Sequence, residues 1–424
     1  MMFRKLLSFD EAKRTIQKAA KIEPLGIETV PLLEVCGRVL AENVVARLDI
    51  PPFDRSTVDG YAVKAEDTFG AEENKPVKLK LCGNVSVGER PRVLVKQGVA
   101  TEIVTGAPMP KGADAVVMVE DTEQKGEVVY VYGAVTKDEN VMKAGADIRK
   151  GEAILKAGQT LGSREIGALA AVGLAKVKVY AIPRVAVLST GAEVTEPGKK
   201  LPSGKIYDIN AYSLSTAVLE SGGKPVFLGV FPDNLAEIKK ALRLALDSAD
   251  MIVTSGGVSV GPKDVTPKAL ESLREPIIIV CGIAVKPGKP TTVALASGKL
   301  IFALPGHPAS ALLMFHLFAR PLILGLAGRK AEKALKVKAL AGMRMFPAKG
   351  RRTFVMVALR RNKSGRLVAN PVPTGASGAI MTLLKADGYV EITENRQFVD
   401  AGEEVTIRLF QKADAVEMKA SDHD

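Results

Sequence analysis

Aromatic residues and cysteines are scarce in this sequence. Tryptophan is absent, Phe, Tyr and Trp together make up 5% of the 424 residues, and only three cysteines and three histidines occur. Cys36, Cys82 and Cys281 lie far apart, and no histidine is spaced from them as a partner zinc ligand would be. The sequence therefore indicates neither a disulfide framework nor a zinc site. We expect a protein of the reducing cytoplasm.

No segment is typical of a secreted or membrane-inserted protein. The first 20 residues lack an uninterrupted apolar run, so they predict a surface helix and not a signal peptide. The most apolar later run, 309–328, is interrupted by His316, Arg320 and Pro321. It predicts a buried core helix, and we expect no membrane contact.

Two common nucleotide-binding motifs are also missing. A GxxxxGK[ST] Walker loop does not occur, and GGVSVG at 256–261 does not match a GxGxxG fingerprint that opens a long helix. These absences argue against a P-loop nucleoside triphosphatase and against a dinucleotide-dependent dehydrogenase.

The net charge of +12 is concentrated in one segment. Residues 329–366 hold thirteen Lys and Arg and one acidic residue, so the remaining chain is close to neutral. This pattern is typical of a solvated basic face, and attraction of an anionic ligand or partner is the alternative. Only Phe346 and Phe354 interrupt the basic residues, so the segment lacks the aromatics that stack bases and we expect no nucleic-acid partner.

Changes between helical and strand-like residue patterns along the chain predict a multidomain protein of the α/β and β classes. Residues 46–140 contain short β runs between Gly and Pro residues. The flanking segments 1–45 and 141–178 resemble each other, and the first is helical in pattern. This order indicates one domain inserted into another. We predict a discontinuous elongated domain (1–45 and 141–178, with Ser163 capping a short helix), an inserted β-rich domain (46–140), an α/β domain (179–327), a C-terminal β domain (335–411) and a loose tail (412–424).

The third domain alternates short apolar strands with helices. The strands are RVAVLST (184–190), PVFLGVF (225–231) and DMIVTSG (250–256), and helical patterns cover about 210–222, 234–248 and 263–274. Such alternation predicts a parallel sheet covered on both faces. Ligands of open α/β sheets bind where the carboxyl ends of the strands meet.

Glycine-rich turns with acids follow these strands. LSTGAEV (188–194) supplies Glu193, TSGGVSVGPKD (254–264) supplies Asp264, and Asp233 follows the strand between them. Exposed N–H groups of glycine turns bind anions, and carboxylates bind Mg²⁺ together with ligand phosphates. The residues alone indicate an anionic, phosphorylated ligand with a metal, and ordinary turn and capping chemistry is the alternative.

Two proline turns extend this pattern. KPGKP (286–290) holds two lysines in a rigid turn, and ALPGHPAS (303–310) opens the apolar helix. The lysines suit an anionic ligand, although an exposed basic turn would look the same. We expect His307 to be a surface or turn residue and not a metal ligand.

Eight motifs occur in the order seen in the molybdopterin molybdenumtransferases, which the sequence closely resembles to about residue 410. This family is called MoeA in bacteria and includes the E domain of gephyrin. The motifs are PPFDRSTVDGYAV (51–63), VTGAPMPKGADAVVMVE (104–120), GADIRKG (145–151), LSTGAEV (188–194), IYDIN (206–210), TSGGVSVGPKDV (254–265), VKPGKP (285–290) and LPGHPAS (304–310).

The resemblance implies a fold and a reaction. The fold would be an elongated homodimer with a helical linker domain, an inserted β domain, a parallel α/β molybdopterin-binding domain and a C-terminal β barrel. The reaction would insert molybdate or tungstate into adenylylated molybdopterin, the substrate, with Mg²⁺ as cofactor and release of AMP. Contacts with other molybdenum cofactor synthesis proteins are also implied, and no motif separates molybdate from tungstate.

The resemblance also assigns roles to residues. Five acids are implied as catalytic, and three of them, Glu193, Asp233 and Asp264, are the expected Mg²⁺ ligands; the other two are Asp59 and Asp147. The residues expected to bind substrate are Thr105, Ser189, Thr190, Gly191, Asp208, Ser255, Gly256, Gly257, Ser259, Gly261, Lys286, Gly288, Lys289, Pro305, Pro308 and Ser377.

Two departures and two alternatives accompany the resemblance. Gly282 stands where family members can carry a second lysine, and His307 replaces an Asn frequent in the proline turn. One alternative is a molybdopterin adenylyltransferase, because the α/β domain resembles that enzyme. The other is a non-catalytic scaffold of the gephyrin type, against which the complete set of acids argues.

Overall fold

The computed structural model describes residues 6–258, 265–330, 335–373 and 379–410. The chain divides into two compact units: unit 1 comprises 1–28, 37–41 and 179–424, and unit 2 comprises 29–36 and 42–178. Each unit holds more than one of the domains expected from the sequence, so the finer boundaries stay a prediction.

The N-terminal segment begins with helix α1 (Phe9–Ala20) and continues as β1 (Ile27–Pro31), a 3₁₀ turn (Leu32–Glu34) and β2 (Val44–Val45). A capping box starts α1: the Ser8 N–H donates to Glu11 Oε2 at 2.8 Å, and the Glu11 N–H donates to Ser8 Oγ at 3.3 Å. The expectation of helical structure throughout 1–45 is wrong beyond residue 20, because prolines interrupt the helical pattern there.

Unit 2 contains a six-stranded sheet in the order β7-β4-β6-β5-β9-β8, in which only β5 and β6 are parallel. Buried apolar side chains such as Val63, Leu79 and Val117 form its core. The elements are β3 (Arg55–Ser56), β4 (Gly60–Val63), β5 (Val77–Val85), β6 (Val99–Ile103), β7 (Ala115–Met118), β8 (Thr122–Lys125), β9 (Val128–Val131), β10 (Val141–Met142), β11 (Ala153–Leu155), α2 (Ser163–Ala171) and β12 (Lys176–Tyr180), with 3₁₀ turns at Ala65–Thr68 and Val119–Asp121.

The cap of α2 differs from the one expected. Gly162 is the N-cap residue, and its N–H donates to Glu165 Oε2 at 2.9 Å. Ser163 is already the first helical residue. The prediction that Ser163 caps this helix is therefore wrong, because the Glu165 carboxylate satisfies the free N–H group instead.

The α/β domain in unit 1 is a six-stranded sheet in the order β16-β13-β17-β21-β20-β18. The first four strands are parallel, as predicted, and β20 and β18 add an antiparallel edge that was not predicted. The elements are β13 (Arg184–Thr190), β14 (Val194–Thr195), β15 (Ile206–Tyr207), α3 (Asn210–Glu220), β16 (Lys224–Phe231), α4 (Leu235–Ser248), β17 (Met251–Ser255), α5 (Thr266–Glu271), β18 (Ile277–Cys281), β19 (Val285–Lys286), β20 (Thr292–Ala296), β21 (Lys299–Leu304), α6 (Pro308–Met314) and α7 (Arg320–Leu326).

Apolar cores lie on both faces of this sheet. Val253 and Phe302 belong to the core that includes residues of α1, α3 and α6, whereas Ile252 and Ile301 belong to the core formed with α4 and α5. Successive residues of a strand point to opposite faces. The central strands β17 and β21 are therefore almost completely buried, because both of their faces are covered.

The apolar run near residue 310 is a core helix, as predicted. A π-helical turn (Phe315–Ala319) joins α6 to α7. Within the described residues this is the one helix long and apolar enough to cross a membrane, but 56% of its most apolar stretch is buried inside the protein. Burial of His316 lowers the pKa of its imidazole to about 4, and the Arg320 charge acts in the same direction.

The C-terminal region forms a closed β barrel, which confirms the fold class expected from the family resemblance. Five strands pair in the cycle β23-β24-β22-β26-β25-β23, and β19 pairs with the start of β23. The elements are β22 (Lys336–Ala341), β23 (Arg352–Arg361), β24 (Leu367–Pro371), α8 (Ala379–Lys385), β25 (Gly388–Ile392) and β26 (Glu404–Leu409).

Arg352 joins the N-terminal helix to this barrel. Its side chain is 11% exposed, forms ion pairs with Asp10 at 2.8 Å and Glu394 at 3.0 Å, and lies 4.9 Å from the centre of the Phe9 ring. Hydrogen bonding from Arg352 lowers the pKa of Asp10. The pKa of Glu394 is lowered by its own backbone N–H and then by Arg352.

We expect Arg352→Met to lower the free energy of unfolding by about 1.5–3 kcal/mol, because it removes hydrogen bonds between charged groups. Arg344→Met is the matched control, since Arg344 pairs with Asp400 on the exposed surface of the same barrel. That change should cost about 0.2–1 kcal/mol. Urea unfolding measures both values, and equal losses would contradict the role of Arg352.

The effect of Arg352→Met should also depend on pH. The paired carboxyls have lowered pKa values in the folded state, so their contribution is present above the unfolded values of 3.8 for Asp10 and 4.5 for Glu394. It is lost as the pH falls through the lower folded values. The difference between wild type and Arg352→Met should therefore shrink below about pH 4.

Candidate functional site

The turns after two neighbouring parallel strands, β13 and β17, contact each other. Gly256, directly after β17, has a φ of +101°, and a Cβ atom there would collide with the backbone oxygen of Thr190 at the end of β13. The same Cβ would lie 2.9 Å from Thr190 Oγ1. Only glycine fits this position without displacing one of the turns.

Three side-chain oxygens surround the next glycine. A Cβ atom built on Gly257 would lie 2.7 Å from Thr266 Oγ1, 3.0 Å from Thr190 Oγ1 and 3.4 Å from Asp233 Oδ1. The three oxygens come from different elements: the end of β13, the turn after β16 and the start of α5. The absence of a side chain at Gly257 therefore leaves space into which hydroxyl and carboxylate oxygens converge.

Two of these oxygens have no hydrogen-bond partner among the described residues. Thr190 Oγ1 and Thr266 Oγ1 are buried and bond to nothing within the described part of the chain, and the same holds for Asp208 Oδ2 and Asn210 Oδ1. A buried polar atom without a partner costs about 1–3 kcal/mol. Several such atoms around one sheet edge indicate a place where a ligand completes the hydrogen bonding.

Asp208 is held in place by its other oxygen. Its Oδ1 accepts from the Ser189 hydroxyl at 3.0 Å and from the Ala211 N–H at 3.1 Å. Asp208 is 5% exposed and stands two residues before α3. The carboxylate therefore fixes the end of β13 against the start of that helix.

Asn210 links two further turns. Its Nδ2 donates to Ser255 Oγ and to the Gly306 carbonyl, both at 2.7 Å, and Ser255 Oγ donates to the Pro305 carbonyl at 3.0 Å. A Cβ on Gly306 would lie 3.8 Å from the Gly256 Cα. The LPGHP turn therefore lies directly beside the strand-end turns.

The KPGKP turn carries two lysines and packs on the C-terminal end of α6. Lys286 is exposed and Lys289 half-buried, and neither forms an ion pair with a residue that the structure describes. A Cβ on Gly288 would collide with Met314 Sδ, so the turn packs closely on α6. Pro308 opens that helix, and His307 is exposed at its N-cap.

A basic cavity of about 410 Å³ adjoins the strand ends at Gly191 and Pro232. Three lysines line it: Lys199, Lys200 and Lys205. Lys199 pairs with Glu196 at 2.7 Å. The charge of this cavity favours an anionic ligand.

Two of the expected acids lie in unit 2. Asp59 Oδ1 accepts from the Thr105 N–H at 2.7 Å and from the Thr105 hydroxyl at 2.8 Å. These hydrogen bonds, first the one from the backbone, lower the pKa of Asp59. Asp147 is exposed and lines a separate cavity of about 390 Å³.

The expected metal ligands are only partly described. Glu193 folds back on its turn, with Oε2 2.9 Å from a Cβ built on Gly191, and Asp233 faces Gly257. Within the described residues no three His, Cys, Asp or Glu side chains come together to hold a metal. Asp264, Ser259, Gly261 and Ser377 lie outside the described residues.

Sequence profiles of one protein family cover most of the chain. The MoeA N-terminal region (domain I and II) matches residues 7–173, the probable molybdopterin binding domain matches 186–325, and the MoeA C-terminal region (domain IV) matches 338–410. The chain belongs to the MoeA family. This membership confirms the family identified from the eight motifs.

Relatives of this MoeA-family chain match it over nearly their whole length. The molybdopterin molybdenumtransferase of Haemophilus influenzae is 33% identical over 96% of this chain and 99% of its own. Molybdopterin molybdenumtransferase 2 of Mycobacterium tuberculosis is 35% identical over 89% of this chain and 94% of its own. The crystal structure of a molybdopterin biosynthesis MoeA protein from Pyrococcus horikosii is 42% identical and covers 96% of this chain and 100% of its own, with a TM-score of 0.83.

Sequence reasoning missed two residues of this MoeA-type site. Thr266 contributes the oxygen closest to Gly257, and Asn210 bridges Ser255 and the LPGHP turn. Asn210 ends the motif IYDIN, and Thr266 directly follows GPKDV. Their position within or directly after a recognised motif was the only signal in the sequence, because their contacts are made across the fold.

Thr190→Val should separate stability from ligand binding. The change removes a buried hydroxyl that has no partner in the described structure and keeps the side-chain shape, so the melting temperature should stay equal or rise. Binding of AMP, measured by calorimetry, should weaken about tenfold, because a ligand would lose one hydrogen bond.

Thr254→Val is the matched control for this change. Thr254 Oγ1 is also buried without a described partner, but Thr254 lies inside β17 and not in a turn. The control should leave AMP binding unchanged. Equal weakening by both changes, or a clear loss of stability in Thr190→Val, would contradict a ligand-facing role for the Thr190 hydroxyl.

Proposed function

We propose that this protein inserts molybdate or tungstate into adenylylated molybdopterin and releases AMP, a step of molybdenum cofactor synthesis. The observation that supports this most strongly is the convergence of Thr190, Asp233 and Thr266 oxygens on Gly257, in a chain of the MoeA family. The relatives named molybdopterin molybdenumtransferase make the same class of reaction the first candidate.

The strand-end turns bind the anionic part of the substrate. Gly256 and Gly257 have φ values of +101° and +60° and carry no side chain, so a phosphate can approach the backbone closely. Lys286 and Lys289 supply positive charge for phosphate or for the molybdate oxyanion. The hydroxyls of Thr190 and Thr266 then complete their hydrogen bonds with ligand oxygens.

Mg²⁺ is the cofactor that the family implies, and the donor atoms present are of a suitable type. Carboxylate and hydroxyl oxygens are the donors that Mg²⁺ prefers, and it usually binds through one or two carboxylates together with ligand phosphates. Glu193, Asp233 and Asp264 are the residues that would hold it. When bound, it would neutralise charge on the phosphoanhydride oxygens.

Asp59 acts as a fixed negative charge in this proposal. The two hydrogen bonds from Thr105 hold its Oδ1 in one orientation and lower its pKa, and an aspartate is ionised at neutral pH. Asp147 is a second acceptor from the same unit. The reaction requires no protein nucleophile, because the acceptor of the metal is the dithiolene of the substrate.

Further features belong to the proposal. We infer a cytoplasmic homodimer that contacts other molybdenum cofactor synthesis proteins and binds neither nucleic acid nor membrane. The basic segment 329–366 supports this in one respect: Lys338, Arg344 and Arg352 already pair with acids of unit 1. Part of its charge is therefore neutralised within the protein.

Asp233→Asn should abolish AMP release. Purified protein is incubated with adenylylated molybdopterin, molybdate and Mg²⁺, and AMP is quantified by chromatography. Loss of the Asp233 charge should reduce the rate about 100-fold or more. Asp247→Asn, an exposed acid on α4 of the same domain, is the control and should keep the wild-type rate.

The same assay separates the alternative functions. An adenylyltransferase would consume ATP and release pyrophosphate when given free molybdopterin, and a scaffold would do neither reaction. Wild-type protein that releases no AMP would refute the proposed insertion. Equal rates in wild type and Asp233→Asn would refute the assigned role of that acid.

A further inference from the structure

The cavity of unit 2 contains an arginine that the proposed reaction does not yet use. The cavity is lined by Ile50, Pro51, Pro52, Phe53, Arg55, Met142, Ala146 and Asp147, and its volume is about 390 Å³. This volume lies within the range of small-molecule sites, about 300–1,000 Å³. All of its lining residues belong to one unit, so the cavity is formed locally.

Arg55 faces this cavity without a carboxylate partner in the described chain. It is half-buried, and the one side-chain hydrogen bond that it forms with a described residue runs from Nη2 to the Met142 sulfur, at 3.4 Å, across the β3–β10 pair. The nearest acid in sequence, Asp54, is occupied by Lys143 and by the Ala144 N–H. A guanidinium partly removed from water and left without an anion is suited to bind one from solution.

Asp147 also lines this cavity, and most of the other lining residues are apolar. Asp147 forms no side-chain hydrogen bond with any residue that the structure describes, and no ion pair within 4.0 Å joins it to Arg55. Pro51 and Pro52 form part of the wall, and Phe53 beside them is 43% exposed. A rigid proline wall and an open aromatic face suit a flat ring.

We propose that this cavity binds a phosphate-bearing, amino-substituted heterocycle, with the phosphate on Arg55 and a ring N–H or amine donor on Asp147. This inference rests on the proposed function, whose substrate carries two such groups, the adenylyl part and the pterin phosphate. A single tetrahedral oxyanion would leave most of the apolar wall uncovered. Arg55 is thus a binding residue that orients one end of the substrate.

The test measures equilibrium binding by the full-length protein, without molybdate and with a chelator present. AMP, adenosine and a pterin monophosphate are titrated separately by calorimetry. Arg55→Met should weaken AMP or the pterin phosphate about tenfold or more, since it removes a charge-assisted hydrogen-bond pair. Adenosine, which lacks the phosphate, should bind Arg55→Met and wild type equally.

Further variants locate the ligand. Arg55→Lys keeps the charge but loses the planar fork, so its affinity should lie between wild type and Arg55→Met. Phe53→Ser should weaken adenosine as well as AMP. Arg92→Met is the matched control, because Arg92 is an exposed arginine of the same unit outside this cavity. The ligand that loses affinity, AMP or pterin phosphate, identifies which end of the substrate lies here.

The outcomes distinguish this inference from the proposed function. If Arg55→Met folds normally and loses affinity for a phosphate-bearing ligand but not for adenosine, this result supports ligand binding in the cavity. It does so even if AMP release is never observed. Unchanged affinities for both phosphates in Arg55→Met, or an equal loss in Arg92→Met, would overturn it. If Arg55→Met melts far below wild type, the Arg55→Lys and Phe53→Ser titrations decide the question.

Discussion

The close approach of two strand-end turns is the constraint on which the α/β site depends. Parallel neighbours end at the same edge of a sheet, so the turns after β13 and β17 compete for one space. They fit because Gly256 has no side chain beside the Thr190 carbonyl and because its φ is positive. The same approach brings the Thr190 and Thr266 hydroxyls to Gly257, so the position of these two oxygens follows from backbone packing.

This arrangement has an energetic cost that the rest of unit 1 must offset. A buried hydroxyl that no partner satisfies costs about 1–3 kcal/mol, and the Thr190 and Thr266 hydroxyls have no partner among the described residues. The strands beneath them are completely buried, with Val187, Val253 and Phe302 at 0% exposure in one continuous core. A rigid apolar sheet therefore holds in place a polar edge that would not be stable by itself, which is the usual relation between a scaffold and a ligand site.

Much of the fold could be predicted from sequence, because local patterns determine it. The helices α3 and α4 lie within two residues of their predicted bounds, and the parallel strands β13, β16 and β17 match closely. The antiparallel edge was missed, since short apolar runs do not specify a neighbour or a direction. The candidate site shows the same division: Gly256 and Asp233 stand in or beside motifs that can be read from the sequence, whereas the approach of Thr266 to Gly257 is a contact made across the fold.

The two acids of unit 2 that the family resemblance singles out, Asp59 and Asp147, have different local contacts. Asp59 Oδ1 accepts two hydrogen bonds from Thr105, which fix this oxygen and lower the pKa of the carboxyl. Asp147 has no such donors in the described chain and shares a cavity with Arg55. A satisfied carboxylate contributes a field, whereas an unsatisfied one can accept a hydrogen bond from a ligand. Because each arrangement is built within unit 2, this difference between the two acids does not depend on whether molybdate or tungstate is the metal inserted.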